Sequence, residues 1–187
     1  MRNVEVVRES DDGAMAATVR RARAGERAAF AELHARFARM VHGILLARVP
    51  AGTADDLVQD VFVAALERLH ALREEAAFGG WLAQIARHRA ADWLRARKHE
   101  IELPADLPAG DAGRTGAAAE AQQVLAVLRT LPEAYRETLA MRLVEGMTGP
   151  EIADRTGLAA ASVRVNLCRG MQLLRARLAG ADEDDHE

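Results

Sequence analysis

The sequence predicts an all-α protein with two small helical domains joined by a flexible acidic linker. Apolar residues recur at intervals of three and four, as on one face of a helix, and only 4% of the residues are aromatic. The segment "IELPADLPAGDAGRTG" (101–116) carries two prolines and three glycines and separates two helical halves. A chain of 187 residues, 50% of them hydrophobic, is long enough for two such cores.

The first half is predicted to hold an N-terminal arm and first helix (1–24) and a domain over 25–100. Within that domain we expect helices at about 25–49, 53–72 and 78–99. Thr53 and Asp56 resemble a capping box at the start of the middle helix. Its apolar stripe is predicted to be core, and comprises Leu57, Val58, Val61, Phe62, Ala65, Leu66 and Leu69.

The second half is predicted to begin after a linker over 101–117 and to form a domain over 118–180. We expect helices at about 118–129, 133–145, 149–156 and 160–179. The last residues, 181–187, are predicted to be a disordered acidic tail. A linker of this length would allow the two domains to reach sites more than one DNA turn, about 34 Å, apart.

A helix-turn-helix motif is the most specific pattern in the chain. The motif needs a small residue where two helices cross, a glycine at the turn and a β-branched core residue after it, and Ala153, Gly157 and Val163 meet these needs. Thr148 and Glu151 predict a capping box for the first helix. The residues expected to face a major groove are Ser162, Arg164, Val165, Asn166, Arg169 and Gln172.

Charge is segregated along the chain although the net charge is only -3. Residues 53–78 hold six acidic against two basic side chains, whereas residues 81–100 hold five basic against two acidic ones. The stretch 155–178 contains five arginines and no acid. Two basic helices are thus separated by acidic neighbours, although the net charge argues against a protein that simply coats nucleic acid.

Four segments together resemble the extracytoplasmic-function (ECF) sigma factors of bacterial RNA polymerase. They are "DDLVQDVFVAALERL" (55–69), "FGGWLAQIARHRAADWLRARK" (78–98), "LPEAYRETLAMRLVEGMTGPEIADRTGL" (131–158) and "SVRVNLCRGMQLLRARL" (162–178). The resemblance implies a promoter-melting domain, a C-terminal helix-turn-helix domain, and a subunit that recognises two promoter elements and promotes DNA melting. It implies core RNA polymerase and promoter DNA as partners, and an anti-sigma factor as a candidate partner.

The resemblance also implies a role for each basic or acidic helix. Binding to core polymerase would fall to Asp56, Leu57, Gln59, Asp60 and Phe62. Contacts with the minus-ten element would fall to Arg87, His88, Asp92, Arg95, Arg97 and Lys98, with a base captured by the loop over 70–80. Contacts with the minus-thirty-five element would fall to Ser162, Arg164, Val165, Asn166 and Arg169.

Five positions depart from the family pattern. His88 replaces a usual asparagine, Ala159 a capping residue, and Gly170 an alanine, while Val165-Asn166 replaces a frequent Ser-Arg pair. The promoter sequence therefore cannot be inherited from the family. The spacing of Trp81 and Trp93 fits a core stripe, so we expect both tryptophans to be buried rather than stacked on bases.

Other classes of function remain as alternatives. A stand-alone helix-turn-helix regulator would bind duplex DNA as a dimer, and a helical adaptor would bind protein only. We expect no enzyme, since no triad or metal-ligand spacing is found, and neither a metal nor a cofactor. Cys168 is the single cysteine and is expected to be a packed residue. With no secretory signal or bilayer-length apolar run in the sequence, we expect a cytoplasmic protein.

Overall fold

A computed structural model describes the backbone of residues 2–102 and 117–184, and the side chains of 13–98 and 120–179. Within these ranges the chain forms helices and connecting turns, which confirms the all-α prediction. The predicted linker residues 103–116 and the tail residues 185–187 lie outside the described part. The helices are α1 (Arg2–Arg23), α2 (Arg27–Leu46), α3 (Ala51–Arg68), α4 (Phe78–Glu102), α5 (Ala117–Arg129), α6 (Glu133–Leu143), α7 (Gly149–Thr156) and α8 (Ala160–Asp184).

Helix α2 is the centre of the first domain and packs against α1, α3 and α4. Its Leu33, Met40 and Ile44 are fully buried, and Leu82 of α4 meets the same core. Two short 3₁₀ turns, Leu69–Ala71 and Glu75–Ala77, connect α3 to α4. This arrangement leaves one long face of α3 and the second half of α4 at the surface.

The predicted start of α3 is wrong by two residues. The helix begins at Ala51 behind Pro50, whose φ of -56° and ψ of 153° are not helical, and no side chain caps it. Thr53 therefore lies inside the first turn, and the capping box predicted with Asp56 does not form. The Pro50 carbonyl accepts a hydrogen bond from Ala54 N at 2.9 Å, so the backbone itself starts the helix.

Several predicted helix ends also differ from the structure. Helices α2, α3 and α6 end earlier than predicted, at Leu46, Arg68 and Leu143, whereas α4 continues to Glu102 and α8 to Asp184. The first part of the predicted acidic tail, 181–184, is thus helical. No proline lies between the predicted and the observed ends of α4 and α8, so nothing there stops the helix.

The helix-turn-helix prediction is confirmed residue by residue. The Thr148 hydroxyl accepts a hydrogen bond from Glu151 N, and the Glu151 carboxylate accepts one from Thr148 N at 2.7 Å, which completes the capping box. Gly157 ends α7 with a φ of 73°, the left-handed conformation that glycine adopts most easily. Ala153 and Val163 are buried where α7 meets α8.

The packing of α8 on α6 explains why glycine stands at position 170. Helix α8 continues through it, and a Cβ at this position would lie 3.0 Å from both Tyr135 Cβ and Leu139 Cδ1 of α6. The missing side chain allows α6 and α8 to approach closely, and this is the largest helix contact in the described residues. The departure from the family's alanine therefore changes packing rather than interrupting the helix.

The two helical halves pack against each other. Helix α2 contacts α6 and α7, and α4 contacts α7. One continuous buried cluster includes α2, α3 and α4 together with Met141, Met147 and Ile152 of the second half. The sequence predicts two domains joined by a flexible linker and carries no signal for this contact. In the described residues no helix is long and apolar enough to cross a bilayer.

Candidate functional site

An acidic and apolar face of α3 points into solvent. Asp56, Gln59 and Asp60, three of the residues predicted to bind polymerase, are exposed on it. Val63 and Leu66 continue the same face one and two turns further and are 56% and 53% exposed. The prediction that Leu66 belongs to the core is therefore wrong. The exposure of Val63 was not predicted, because apolar residues surround most of the circumference of α3.

Leu57 and Phe62, also predicted to bind polymerase, lie in the core instead. They are 8% and 4% exposed. The Phe62 ring packs edge-on against Phe30, with centroids 6.3 Å apart, and lies 4.3 Å from the imidazole of His34. In this conformation the two side chains support α3 against α2 and present no surface to a partner.

Arg87 is set apart from the other basic residues of α4 because it binds a buried acid. Its Nε and Nη2 donate hydrogen bonds to the two carboxylate oxygens of Glu137 at 2.9 and 2.8 Å. Arg48 Nη1 lies 2.5 Å from the same carboxylate. Burial opposes ionisation of Glu137, but the two arginines outweigh it and lower the pKa of the carboxyl group.

The remaining residues predicted to contact the minus-ten element are exposed. They are His88, Asp92, Arg95, Arg97 and Lys98. Asp92 and Arg95 form an ion pair one turn apart. The guanidinium of Arg97 lies 5.3 Å from the ring centroid of Trp93, a distance that fits a cation–π contact.

The tryptophans are intermediate between the two predicted environments. Trp81 and Trp93 are half-buried and pack against the core, so each still shows part of its ring. Leu94, the residue next to Trp93, is exposed. In the described residues the second half of α4 is more exposed than its first half, which carries the buried Leu82, Ala83 and Ala86.

The loop over 70–80 contacts α1 on one side and α7 on the other. Arg23 of α1 donates to the Leu72 carbonyl at 3.3 Å and to Glu75 at 2.7 Å. On the other side, Gly79 meets the end of α7, since a Cβ on it would lie 2.2 Å from the carbonyl oxygen of Arg155. Only the end of this segment, at Gly79 and Gly80, meets the second half of the chain, whereas Arg73, Glu74 and Ala76 are exposed.

Helix α8 presents a basic surface to solvent. Ser162, Arg164, Val165 and Arg169 are exposed, and Asn166 is half-buried. Gln172 is exposed as expected, but Cys168 is exposed as well, so its prediction as a packed residue is wrong. Cys168 lies beside the inward-facing stripe of Val163, Leu167 and Leu174, where a side chain can be buried or exposed depending on the neighbouring helix, and here it is exposed.

His42 belongs to a second charged cluster, which lies between the two halves and was not predicted from the sequence. Its Nδ1 lies 2.6 Å from Glu145, in the turn after α6, and its Nε2 lies 3.2 Å from Asp55 of α3. The hydrogen bond with Glu145 is the main reason that the pKa of His42 is raised. No local signal links these positions, which are 103 residues apart in sequence.

Comparisons with known proteins match both halves. Sigma-70 region 2 matches residues 33–100, and Sigma-70, region 4 matches residues 121–174. The RNA polymerase sigma factor NccH of Alcaligenes xylosoxydans xylosoxydans is 31% identical over 179 residues, which are 87% of this chain and 93% of NccH. The ECF RNA polymerase sigma factor SigD of Mycobacterium tuberculosis (strain H37Rv) is 34% identical over 139 residues, which are 70% of this chain and 66% of SigD.

A solved structure gives the same result. The chain of CnrH in complex with the cytosolic domain of CnrY superposes with a TM-score of 0.60 at 27% identity, covering 89% of this chain and 98% of that one. CnrH comes from Cupriavidus metallidurans. The match to a probable sigma factor, RfaY of Xanthomonas campestris pv. campestris, is 32% identical and spans 67% of this chain but only 34% of the length of RfaY. With a region 2 and a region 4 in the family's order, the chain belongs to the ECF sigma factors, the alternative sigma factors of transcription initiation.

Proposed function

We propose that this chain binds core RNA polymerase through the exposed face of α3, engages an opened minus-ten strand with α4, and reads a minus-thirty-five element with α8. The observation that carries the proposal is the presence, in one chain, of a solvent-facing acidic helix and a basic recognition helix with no acid between Arg155 and Leu178. A stand-alone regulator needs only the second of these.

The docking surface on α3 combines charge with apolar area. Asp56 and Asp60 would pair with basic groups of the polymerase, while Val63 and Leu66 would bury apolar surface in the centre of the contact. Leu57 and Phe62 act beneath this surface by holding α3 on α2. This division of roles replaces the equal assignment of all five predicted residues to the contact.

The DNA-binding roles follow from the chemistry of the exposed side chains. Arg95, Arg97 and Lys98 would hold phosphates of an opened strand, and the visible part of the Trp93 ring offers a surface for stacking. On α8, Arg164 and Arg169 are suited to guanine and Asn166 to adenine in a major groove. The chain supplies no catalysis of its own in this proposal, acts in the cytoplasm, and is open to control by an anti-sigma factor.

The test is co-migration with sigma-free core polymerase on a sizing column. We expect the wild-type chain to co-migrate and the double variant Asp56→Lys with Asp60→Lys to elute alone, because the reversed charges repel a basic surface. Glu120→Lys is the control for charge reversal, since Glu120 is an exposed acid of α5 and not of α3. If the wild-type chain elutes alone, or the double variant still co-migrates, the proposed docking surface is wrong.

A further inference from the structure

The loop between α3 and α4 consists of two short turns with an exposed tip between them. Leu72, which follows the first turn, and Phe78, which begins α4, are 6% and 0% exposed. Arg73, Glu74 and Ala76 are exposed between these two anchors. The backbones of Leu72 and Glu74 are extended, so no continuous helix supports the tip. The loop is thus anchored in the core at its two ends and open to solvent in the middle.

The backbone hydrogen bonds of this loop each lie within a single turn. Leu72 N donates to the Leu69 carbonyl at 3.2 Å, and Ala77 N donates to the Glu74 carbonyl at 3.1 Å. Neither of these two bonds joins the first turn to the second. A side chain from outside the loop can therefore decide how the two turns are arranged.

Arg23 of α1 joins the two turns. Its Nη1 donates a hydrogen bond to the Leu72 carbonyl at 3.3 Å, and its Nη2 donates one to the Glu75 carboxylate at 2.7 Å. Leu72 follows the first turn, and Glu75 begins the second. Because the guanidinium group is planar and rigid, it holds two acceptors at a fixed separation. Arg23 therefore fixes the distance between the turns on either side of the tip.

The end of α1 gives Arg23 a firm support. Val19 and Ala22, in the same last turns of the helix, are 0% and 4% exposed and belong to the core. Arg23 is the last residue of α1. The chain then turns away at Gly25, which has a φ of 92° and donates to the Ala22 carbonyl at 3.0 Å. A helix that had no predicted role thus supports the loop in front of α4.

The ion pair of Arg23 with Glu75 contributes more to the position of the loop than to folding. The two side chains remain 35% and 22% exposed, and solvent screens an ion pair of this kind. Arg21, two residues earlier, offers a comparison within the same helix. It is also exposed and paired, but its ion pairs are made with Glu26 and Glu32, at the start of α2 and inside it.

We propose that Arg23 is a positioning residue of the minus-ten site, which holds the base-capturing loop in its binding conformation through Glu75 and the Leu72 carbonyl. The inference rests on the proposed function, in which α4 engages an opened strand, and on the base capture expected of the loop before it. A base leaves its stack at a cost in free energy, so a loop that is already ordered captures it more tightly than a loose one. Arg23 acts through the loop in this role and does not contact DNA.

A change at Glu75 separates this role from a direct contact between Arg23 and DNA. If Arg23 bound a phosphate, removal of the nearby acid Glu75 would strengthen binding of the strand. If Arg23 acts through Glu75, Glu75→Ala weakens capture as Arg23→Ala does. The double variant is then no weaker than Arg23→Ala alone, because the two changes remove the same contact.

Promoter opening by the complete holoenzyme is the measurement. The template is a promoter that the wild-type holoenzyme selects from a library of random sequences, and permanganate reactivity of its unpaired thymines reports opening. We expect Arg23→Ala and Glu75→Ala to open it about tenfold less at limiting holoenzyme, whereas Arg21→Ala matches the wild type. Co-migration with core polymerase should stay unchanged in all three variants, because none of the changed residues lies on α3.

Hydrogen exchange of the free chain tests the contact without polymerase. Backbone amides of residues 70–80 should exchange severalfold faster in Arg23→Ala and Glu75→Ala than in Arg21→Ala, because the loop opens more often. Failure of the wild-type chain to open any promoter would overturn the proposed function, and this inference with it. Failure of the inference alone appears in the variants. Unchanged opening by Arg23→Ala, stronger opening by Glu75→Ala, or unchanged exchange of residues 70–80 overturns it.

Discussion

Helix α3 contains residues that stabilise the fold and other residues that are exposed to a binding partner. Phe62 fills the core between α2 and α3, while Leu66, four residues later, is 53% exposed. Residues four apart differ by only about 40° around the helix axis, so the difference in exposure arises because neighbouring residues such as Phe30 and His34 of α2 cover Phe62 and leave Leu66 at the surface. A small angular difference thus decides whether an apolar side chain holds the fold or contacts a partner.

The pair gives a direct prediction. We expect Phe62→Ala to lower the free energy of unfolding by about 3–5 kcal/mol, since it leaves a cavity in the core. Leu66→Ala should change it by less than about 0.5 kcal/mol, as for an ordinary surface substitution, yet weaken co-migration with core polymerase. Urea unfolding and the sizing column measure the two effects. Equal destabilisation by both variants would contradict the assignment.

Two arginines should differ in what they contribute to DNA recognition. Arg169→Ala should weaken binding at the upstream element by about 1–3 kcal/mol, because a base contact carries sequence preference. Arg97→Ala should weaken binding without changing that preference, because Arg97 would contact phosphate. Competition with scrambled DNA, measured with the polymerase complex, separates them. An equal loss on scrambled DNA for Arg169→Ala would refute base readout there.

At the scale of elements, the two ends of α7 can be predicted from the sequence because local capping residues set them. Thr148, Glu151 and Gly157 define its start and end through caps that need no distant partner. The start of α3 failed as a prediction because Pro50 and the backbone replaced the expected Thr53 cap. The orientation of Leu66 and Cys168 could not be derived either, since it depends on which neighbouring helix covers them.

The cap of α7 can be tested by itself. Thr148→Ala should destabilise the protein by about 1 kcal/mol, because the N–H of Glu151 loses its acceptor. Thr18→Ala is the comparison, since Thr18 bonds within its own helix and caps nothing. Thermal unfolding followed by circular dichroism gives both values. If the two variants unfold at the same temperature, the capping box contributes nothing measurable.

At the scale of the whole molecule, the contact between the halves joins positions far apart in sequence. Gly43 with Met141, Arg87 with Glu137 and His42 with Glu145 have no pattern that links them along the chain. The sequence therefore predicts both domains and their roles, but not the contact between them.

The contact between the two halves should depend on pH through His42. Glu145 and Asp55 contact its imidazole, and Arg39 donates to the Glu145 carbonyl beside it. Because the pKa of His42 is raised in the folded protein, its contribution is complete below about pH 6.5 and is lost as the pH rises through the folded pKa. The window of lost stability therefore lies above about pH 6.5.

Urea unfolding at about pH 6 and about pH 8.5 checks this, because the two values lie on either side of the ordinary histidine range. The wild-type chain should lose more stability between them than His42→Gln does. His70→Gln, which changes an exposed histidine of the first 3₁₀ turn, should behave like the wild type. A wild-type loss no greater than that of His42→Gln would exclude this role for His42.

Transcription by sigma-free core polymerase from a library of random upstream sequences, with and without the chain, tests the central claim most directly. We expect starts only in the presence of the chain, behind two shared sequence elements. Those elements would also supply the promoter code that His88, Val165 and Asn166 make specific to this protein. Starts that do not depend on the chain, or duplex binding by the free chain without any directed start, would contradict the account.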